Sequence, residues 1–227
     1  MIMSNEVDPA QRYRLDFLSP NVVLPAPLVF WTPKYVLFKY ICDKGSAIVC
    51  LPFIFCIGLV LLVLNPLCNP GPLLFRQDRM GMGGRRFTLW KFRTMSVDAA
   101  QVRAHDAPLE VERITFFAGY IRRFRIDELP NFFSVLIGDM SLVGPRPDAW
   151  DHSAQYAQDV LHYSDRFRVR PGITGLAQVR GGYADTTRAV ERKARLDRFY
   201  VRKSRIKLDL YIMWCTVVVV ATGFGGR

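Results

Sequence analysis

From Gly45 to Phe75 no residue carries a charge. Gly45–Leu64 alone reaches the ~20 apolar residues that a helix needs to cross a bilayer, so a single-pass anchor is the simplest reading. Two features count against it. Pro52 falls inside the run, where it removes a helical hydrogen bond and kinks the chain. Basic residues also flank both ends: Lys34, Lys39 and Lys44 before, Arg76, Arg79, Arg85 and Arg86 after. The positive-inside rule places both flanks in the cytoplasm. A helix that enters, breaks at Pro52 and returns satisfies both, so residues 35–68 are predicted to form a re-entrant helix–break–helix.

Downstream, Asn69-Pro70-Gly71-Pro72 is a strong turn signal. Leu73–Phe75 and Phe87–Phe92 flank a polar turn containing Gly81, Gly83 and Gly84, the pattern of a β-hairpin. Residues 96–113 read as a helix with charged faces. Leu129–Leu136 reads as a helix start, with Pro130 in the first turn, where its missing N–H does no harm, and Gly138-Asp139 as its end. Arg188–Tyr200 is basic and amphipathic, and Lys203–Ala221 starts basic and turns apolar. Both late helices are expected on a membrane surface, their cations among lipid phosphates; a basic solvated face above a soluble core is the alternative. Residues 1–34 contain Pro20, Pro25, Pro27 and Pro33 and read as an arm with little regular structure. With Glu6, Asp8 and Asp16 early and no basic start, they do not read as a signal peptide.

Charge sharpens this picture. The 227 residues carry a formal net charge of +11, and arginine outnumbers lysine 24 to 7. Arginine's planar fork grips phosphate in bidentate fashion, so phosphate-bearing partners are indicated: nucleic acid, anionic lipid or a nucleotide. No helix-turn-helix, zinc-finger or RNA-recognition signature is present, and the apolar segment favours lipid, so nucleic acid is not an expected partner. Cys42, Cys50, Cys56, Cys68 and Cys215 lie in or beside apolar stretches and form no C-x-x-C pair, which suggests buried free thiols in a reducing compartment.

Four strings could carry chemistry. Asp127-Glu128-Leu129-Pro130 places two carboxylates at a predicted helix start, behind Arg122, Arg123 and Arg125. Asp127 there is a helix cap, or one of the two carboxylates is a covalent nucleophile while the other holds a divalent cation and the arginines offset phosphoryl charge. Gly138–Pro147 holds Arg146 between Pro145 and Pro147: a preorganised phosphate clamp or a stiff surface turn. Arg168–Val179 contains Gly172, Thr174 and Gln178 in a loop whose N–H groups could face phosphate. Arg79, Lys91 and Arg93 lie in basic strings beside the membrane segment and are either phosphate contacts or the ordinary basic flank of an inserted helix.

Taken together and in this order, these strings resemble the bacterial sugar transferases, the small monotopic phosphoglycosyl transferases. The resemblance covers roughly Lys39 to the C-terminus. It rests on Asp43, Pro52, Gly71-Pro72 with Phe75, Gln77, Arg79 and Gly81, then Lys91–Met95, Asp127–Pro130, Gly138–Pro147 and Arg170–Gly175. One string would be weak evidence; six in register are specific. Tyr40, Leu176 and Arg180 depart from the residues the family usually carries there, away from the dyad.

The resemblance implies an α+β fold, mainly helical: a monotopic membrane protein with a re-entrant helix, surface amphipathic helices and a small β-hairpin. Residues 1–34 would be an arm, 35–68 the membrane helix and 69–227 a cytoplasmic catalytic domain. By that resemblance the chain would be a catalytic core with a short arm, without the extra N-terminal membrane helices of larger members. The resemblance further implies a magnesium ion, partly held by Glu128, and ping-pong transfer of a phosphosugar. Asp127 would attack the β-phosphorus of a UDP-sugar and expel UMP, with Arg122 and Arg146 on phosphate. Undecaprenyl phosphate would then take the phosphosugar at the cytoplasmic face of the bacterial inner membrane. A non-enzymatic basic membrane adaptor fits the composition equally but leaves the carboxylate dyad without a use. The sequence leaves a homodimer open and does not choose the sugar.

Overall fold

The computed structural model describes residues 31–69, 71–95, 116–181 and 187–222. Residues 1–30 of the expected arm and the helix expected over 96–113 lie outside them. The apolar segment is one helix, α1 (Pro33–Cys68). It starts where Thr32 caps the backbone N–H of Tyr35 and Pro33 occupies the first turn, and it ends at Asn69. The helical assignment continues through Pro52 and Pro66 without interruption. At 36 residues it is about 54 Å long, long and apolar enough to cross a membrane by length and composition.

Its buried positions are Tyr35, Lys39, Asp43, Ala47, Ile54, Leu61 and Asn65. Steps of four and seven keep them on one face, so a single stripe is docked from the first turn to the last. The rest of the surface is apolar and exposed, as at Leu37, Ile48, Phe53, Val60 and Val63. This inverts a soluble amphipathic helix: the buried stripe holds the charges and the outside is greasy. An exposed apolar surface of this extent marks a contact with lipid or another apolar partner.

Polar bonds hold the stripe. Lys39 Nζ donates to the Val143 carbonyl at 2.6 Å and to Asp209 Oδ2 at 3.2 Å. The Tyr35 and Tyr200 hydroxyls donate to the same carboxylate at 2.9 and 3.0 Å. Asp43 accepts from Ser141 Oγ at 2.9 Å and from the Leu142 N–H at 2.8 Å. At the far end Asn65 Nδ2 donates to the Gly71 carbonyl at 2.9 Å.

The expected hairpin forms as β1 (Leu74–Met80) and β2 (Arg86–Phe92), antiparallel, with Arg79 opposite Phe87 and Phe75 opposite Lys91. Phe87 and Leu89 point inward against Ala47, Val135 and Met140. Two short helices follow, α2 (Phe116–Arg123) and α3 (Asn131–Ile137), joined by a tight turn over Ile126–Glu128. Strand β3 (Ser141–Val143) pairs in parallel with β4 (Gly172–Thr174); between them lie α4 (Trp150–Asp159) and a 3-10 segment at Tyr163–Arg168. The chain closes with α5 (Leu176–Gly181), α6 (Thr187–Lys203) and α7 (Ile206–Thr222).

Helix α6 has two faces. Val190, Ala194, Asp197 and Val201 are buried in the core, while Arg188, Arg192, Arg195 and Arg202 are exposed on the other side. On α7 the buried Asp209 is the partner of Lys39, and Leu210, Trp214 and Val217 are exposed.

Lys39→Ala should destabilise the protein by ~3–5 kcal/mol, because it leaves the Asp209 carboxylate buried without its cation. Thermal unfolding in detergent micelles measures this, and a melting temperature matching that of the wild type would show that the pair does not anchor α1. The double change Lys39→Met with Asp209→Asn should recover much of the loss.

Candidate active site

The inner face of the hairpin and the turn between α2 and α3 meet. Side chains alternate along a strand, so the register that buries Phe87 and Leu89 also directs Lys91 inward. There Lys91 Nζ lies 3.8 Å from Glu128 Oε1. Arg125 precedes the turn in a left-handed conformation, φ 55°, rare for a residue with a side chain. Its guanidinium stands 3.7 Å from the same oxygen. Arg146 completes the cluster with a bidentate grip on Glu128, at 2.9 Å to Oε2 and 2.5 Å to Oε1.

The two carboxylates of the dyad are therefore unlike. Glu128 is buried, and burial works against its charge, but Arg146 and Lys91 overcome this and hold its carboxyl well below the usual range. Asp127 is half-buried, and among the described residues no hydrogen bond or ion pair reaches its carboxylate. Burial and then the Glu128 charge push its carboxyl up to about 6, against the pull of Lys91, Arg122 and Arg146. Helix α3 begins at Asn131 with Pro130 before it and no side-chain cap, so Asp127 is not the helix cap that the sequence also allowed. A carboxylate with open lone pairs, amid cations, can attack an electrophile or bind a metal.

Lys91 is itself pushed down to about 8, mainly by burial, with Glu128 opposing. Arg79 is lowered to about 10 by burial and the nearby Arg146. Its guanidinium donates to the Pro147 carbonyl at 3.0 Å and to Gln77 Oε1 at 2.5 Å, so it braces the loop that carries Arg146.

A second cluster secures that loop. The Asp148 carboxylate accepts from the Tyr163 hydroxyl at 2.6 Å, from Lys193 at 2.5 Å and from Arg166. Arg166 also donates to the Arg146 carbonyl and pairs with Asp197 at 3.1 Å. Lys193 and Arg166 hold the Asp148 carboxyl far below its ordinary range, although burial works against it. Sequence reading missed these residues. Asp148 follows Pro147 directly, and Asp197 is an acid on the apolar face of α6; both were signals.

Other expected site residues serve the scaffold. The Arg93 guanidinium donates to the carbonyls of Pro72 and Asn69, both at 2.6 Å, and of Met95 at 3.0 Å. It ties the end of α1 to the hairpin instead of joining the dyad. The Gly172 N–H donates to the Pro145 carbonyl at 2.9 Å, and the Thr174 carbonyl accepts from Gly144 at 2.8 Å. Thr174 Oγ1 bonds Thr216 Oγ1 at 2.6 Å, and Gln178 Nε2 donates to the Ile173 carbonyl at 3.1 Å. These bonds brace the loop internally and against α7. The glycines there answer a close approach: a Cβ at Gly172 would lie 2.1 Å from the Gly144 nitrogen, and one at Gly175 2.2 Å from the Gly144 oxygen. Pro52 lies on α1, remote in sequence from every dyad contact named above.

Among the described residues no cluster of three or more His, Cys, Asp or Glu side chains forms a complete metal cage. Magnesium is commonly held by one or two carboxylates plus substrate phosphates, and the dyad matches that donor set. Each carboxylate oxygen has two acceptor sites, so Glu128 retains capacity for a cation while bonded to Arg146.

In metal-free protein, Glu128→Gln should move the Asp127 titration down from about 6 toward the ordinary carboxylate range, since it removes the like charge and releases Arg146 from Glu128. Carboxyl-carbon NMR would follow it; an unmoved midpoint would show that the pair is not coupled. Asp148→Asn should cost about 3–5 kcal/mol at neutral pH. A depressed carboxyl contributes stability above its unfolded pKa of ~4 and loses it as pH falls toward the folded value, so the variant's deficit should shrink in acid melts.

Residues 34–223 match the model of the bacterial sugar transferase family. The chain is 38% identical over 219 residues to the UDP-N-acetylgalactosamine-undecaprenyl-phosphate N-acetylgalactosaminephosphotransferase of Aeromonas hydrophila, covering 95% of this chain and 50% of that protein. It is 40% identical over 189 residues to the UDP-glucose:undecaprenyl-phosphate glucose-1-phosphate transferase of Xanthomonas campestris pv. campestris, covering 82% and 39%. The exopolysaccharide production protein PSS of Rhizobium leguminosarum bv. phaseoli is 36% identical over 80% of this chain and 92% of its own length. The chain thus spans half or less of the first two of these relatives. With the match running from the second residue of α1 to just past the end of α7, the chain belongs to the bacterial sugar transferase family.

Proposed function

We propose that this chain transfers a phosphosugar from a UDP-sugar to undecaprenyl phosphate through a covalent aspartyl intermediate, at the cytoplasmic face of a bacterial inner membrane. The observation that carries the reading is the asymmetry of the dyad. Glu128 is locked to Arg146, and Asp127 beside it has no such bond. The relatives named for undecaprenyl-phosphate sugar-phosphate transfer support the reaction class.

In this mechanism an Asp127 carboxylate oxygen bonds to the β-phosphorus of the donor. The bond from that phosphorus to the bridging oxygen breaks, and its electron pair leaves with UMP. No proton needs to move. A phosphate oxygen of the acceptor then attacks the same phosphorus, and the bond to Asp127 breaks to restore the carboxylate. Lys91, Arg122 and Arg125 neutralise the approaching phosphates, and Arg146 meets them from the position that Glu128 and Arg166 fix. Glu128 would hold magnesium together with substrate phosphate, and the ion would offset the charge on the transferred group.

For the membrane, the unbroken docking of α1 is the relevant observation. Buried positions run from Tyr35 to Asn65, so α1 is packed against the rest of the protein near both of its ends. Together with the basic flanks, this supports a monotopic seat with Pro52 as the re-entrant bend.

Purified protein, magnesium and a panel of UDP-sugars test the proposal. Without acceptor, UMP should appear at one equivalent; with undecaprenyl phosphate it should turn over. Asp127→Asn should lower both by on the order of 10³-fold or more. Turnover that survives Asp127→Asn would overturn the covalent step.

A further inference from the structure

Next in sequence to the dyad, α2 and the C-terminal half of α1 border an open apolar groove of about 470 Å³. Cys56, Val60 and Leu64 line it from α1, Tyr120 and Phe124 from the other side, and Ile126 lines it as well. Ile126 is the residue before Asp127. A residue that lines the groove thus adjoins the dyad, around which Lys91, Arg122, Arg125 and Arg146 gather. On its outer side the groove runs into the exposed apolar surface of α1 at Leu59, Val63 and Leu67. A surface that is apolar along its length and adjoins a cationic cluster fits an amphiphile with a long hydrocarbon chain and a compact anionic head. A terminal phosphate monoester, with two charges, suits several cations better than the singly charged diester of a bilayer phospholipid.

We propose that this groove is the acceptor subsite: it seats the isoprene units nearest the head of the polyprenyl phosphate and thereby presents the phosphate to phosphorus at Asp127. The inference rests on the transfer reaction proposed above. It assigns the apolar face of α2, on the helix whose Arg122 faces the donor phosphates, the task of aligning the second substrate.

Val60→Trp and, separately, Leu64→Trp fill the groove. Each should raise the KM for undecaprenyl phosphate at least tenfold, while the acceptor-free release of one equivalent of UMP is retained, which also reports intact folding. With geranyl phosphate, too short to use the whole trough, the gap between variant and wild type should shrink. Unchanged acceptor kinetics, or a burst lost in the variants but present in the wild type, would overturn the subsite. A wild type without any burst would instead sink the covalent reading and the subsite with it. Cys56, an exposed thiol, supplies an independent readout. In nanodiscs of phosphatidylethanolamine, undecaprenyl phosphate should slow its alkylation by N-ethylmaleimide at least fivefold, mapped by peptide mass spectrometry. Equal protection by the phospholipid alone would make bilayer lipid the occupant and refute the proposal.

Discussion

Glu128 and Arg146 meet through two parallel hydrogen bonds, the carboxylate buried and the guanidinium half-buried. That contact joins elements brought from distant parts of the chain: the turn between α2 and α3, and the loop after β3. Charge-assisted bidentate pairs of this kind have strong directional preference, so the pair fixes the loop relative to the turn. It also fixes the electrostatics. One carboxylate is kept ionised by its partner, and its charge raises the proton affinity of the other. Two acids adjacent in sequence thereby acquire different chemistry from their surroundings alone.

The loop bearing Arg146 would be a poor support by itself, being short and without regular structure on either side of two prolines. Its rigidity is imported. Arg79 reaches it from the hairpin, Arg166 from the segment before β4, and Asp148 gathers donors from that segment and from α6. Buried ionic networks add little to stability compared with apolar packing, but removing one member is severe. Such a network suits a site in which position matters more than overall stability. The polar stripe of α1 follows the same logic. Lys39 and Asp43 seat the apolar helix against β3, the strand that leads into the Arg146 loop, so the apolar helix and the dyad turn share a foundation.

Much of this was legible in the chain. The hairpin, the helix after Pro130 and the two late helices appear near the predicted boundaries because turn residues and periodicity are local signals. The dyad and Arg146 were found as strings, and the structure brings them together. What the strings could not show is which arginine bonds to what. Arg93 and Arg146 look alike in sequence, yet one terminates on backbone carbonyls and the other on a carboxylate. The Asp148 network draws on residues up to 49 positions apart in the chain, so only tertiary packing reveals it. The polar stripe on α1 was also hidden, because a lysine and an aspartate before an apolar run read as an ordinary flank.

The approach of Gly144 to Gly172 and Gly175 has one more implication. Two backbones cross there at a spacing that leaves no room for a single methyl group. The loop that carries Arg146 is thus registered by the absence of side chains, not by their fit. A packed core can drift through compensating exchanges of large and small residues, but a crossing of bare backbone has no such trade to offer. Across divergent members, this point should behave as a fixed pivot around which sugar preference and membrane contacts are free to vary.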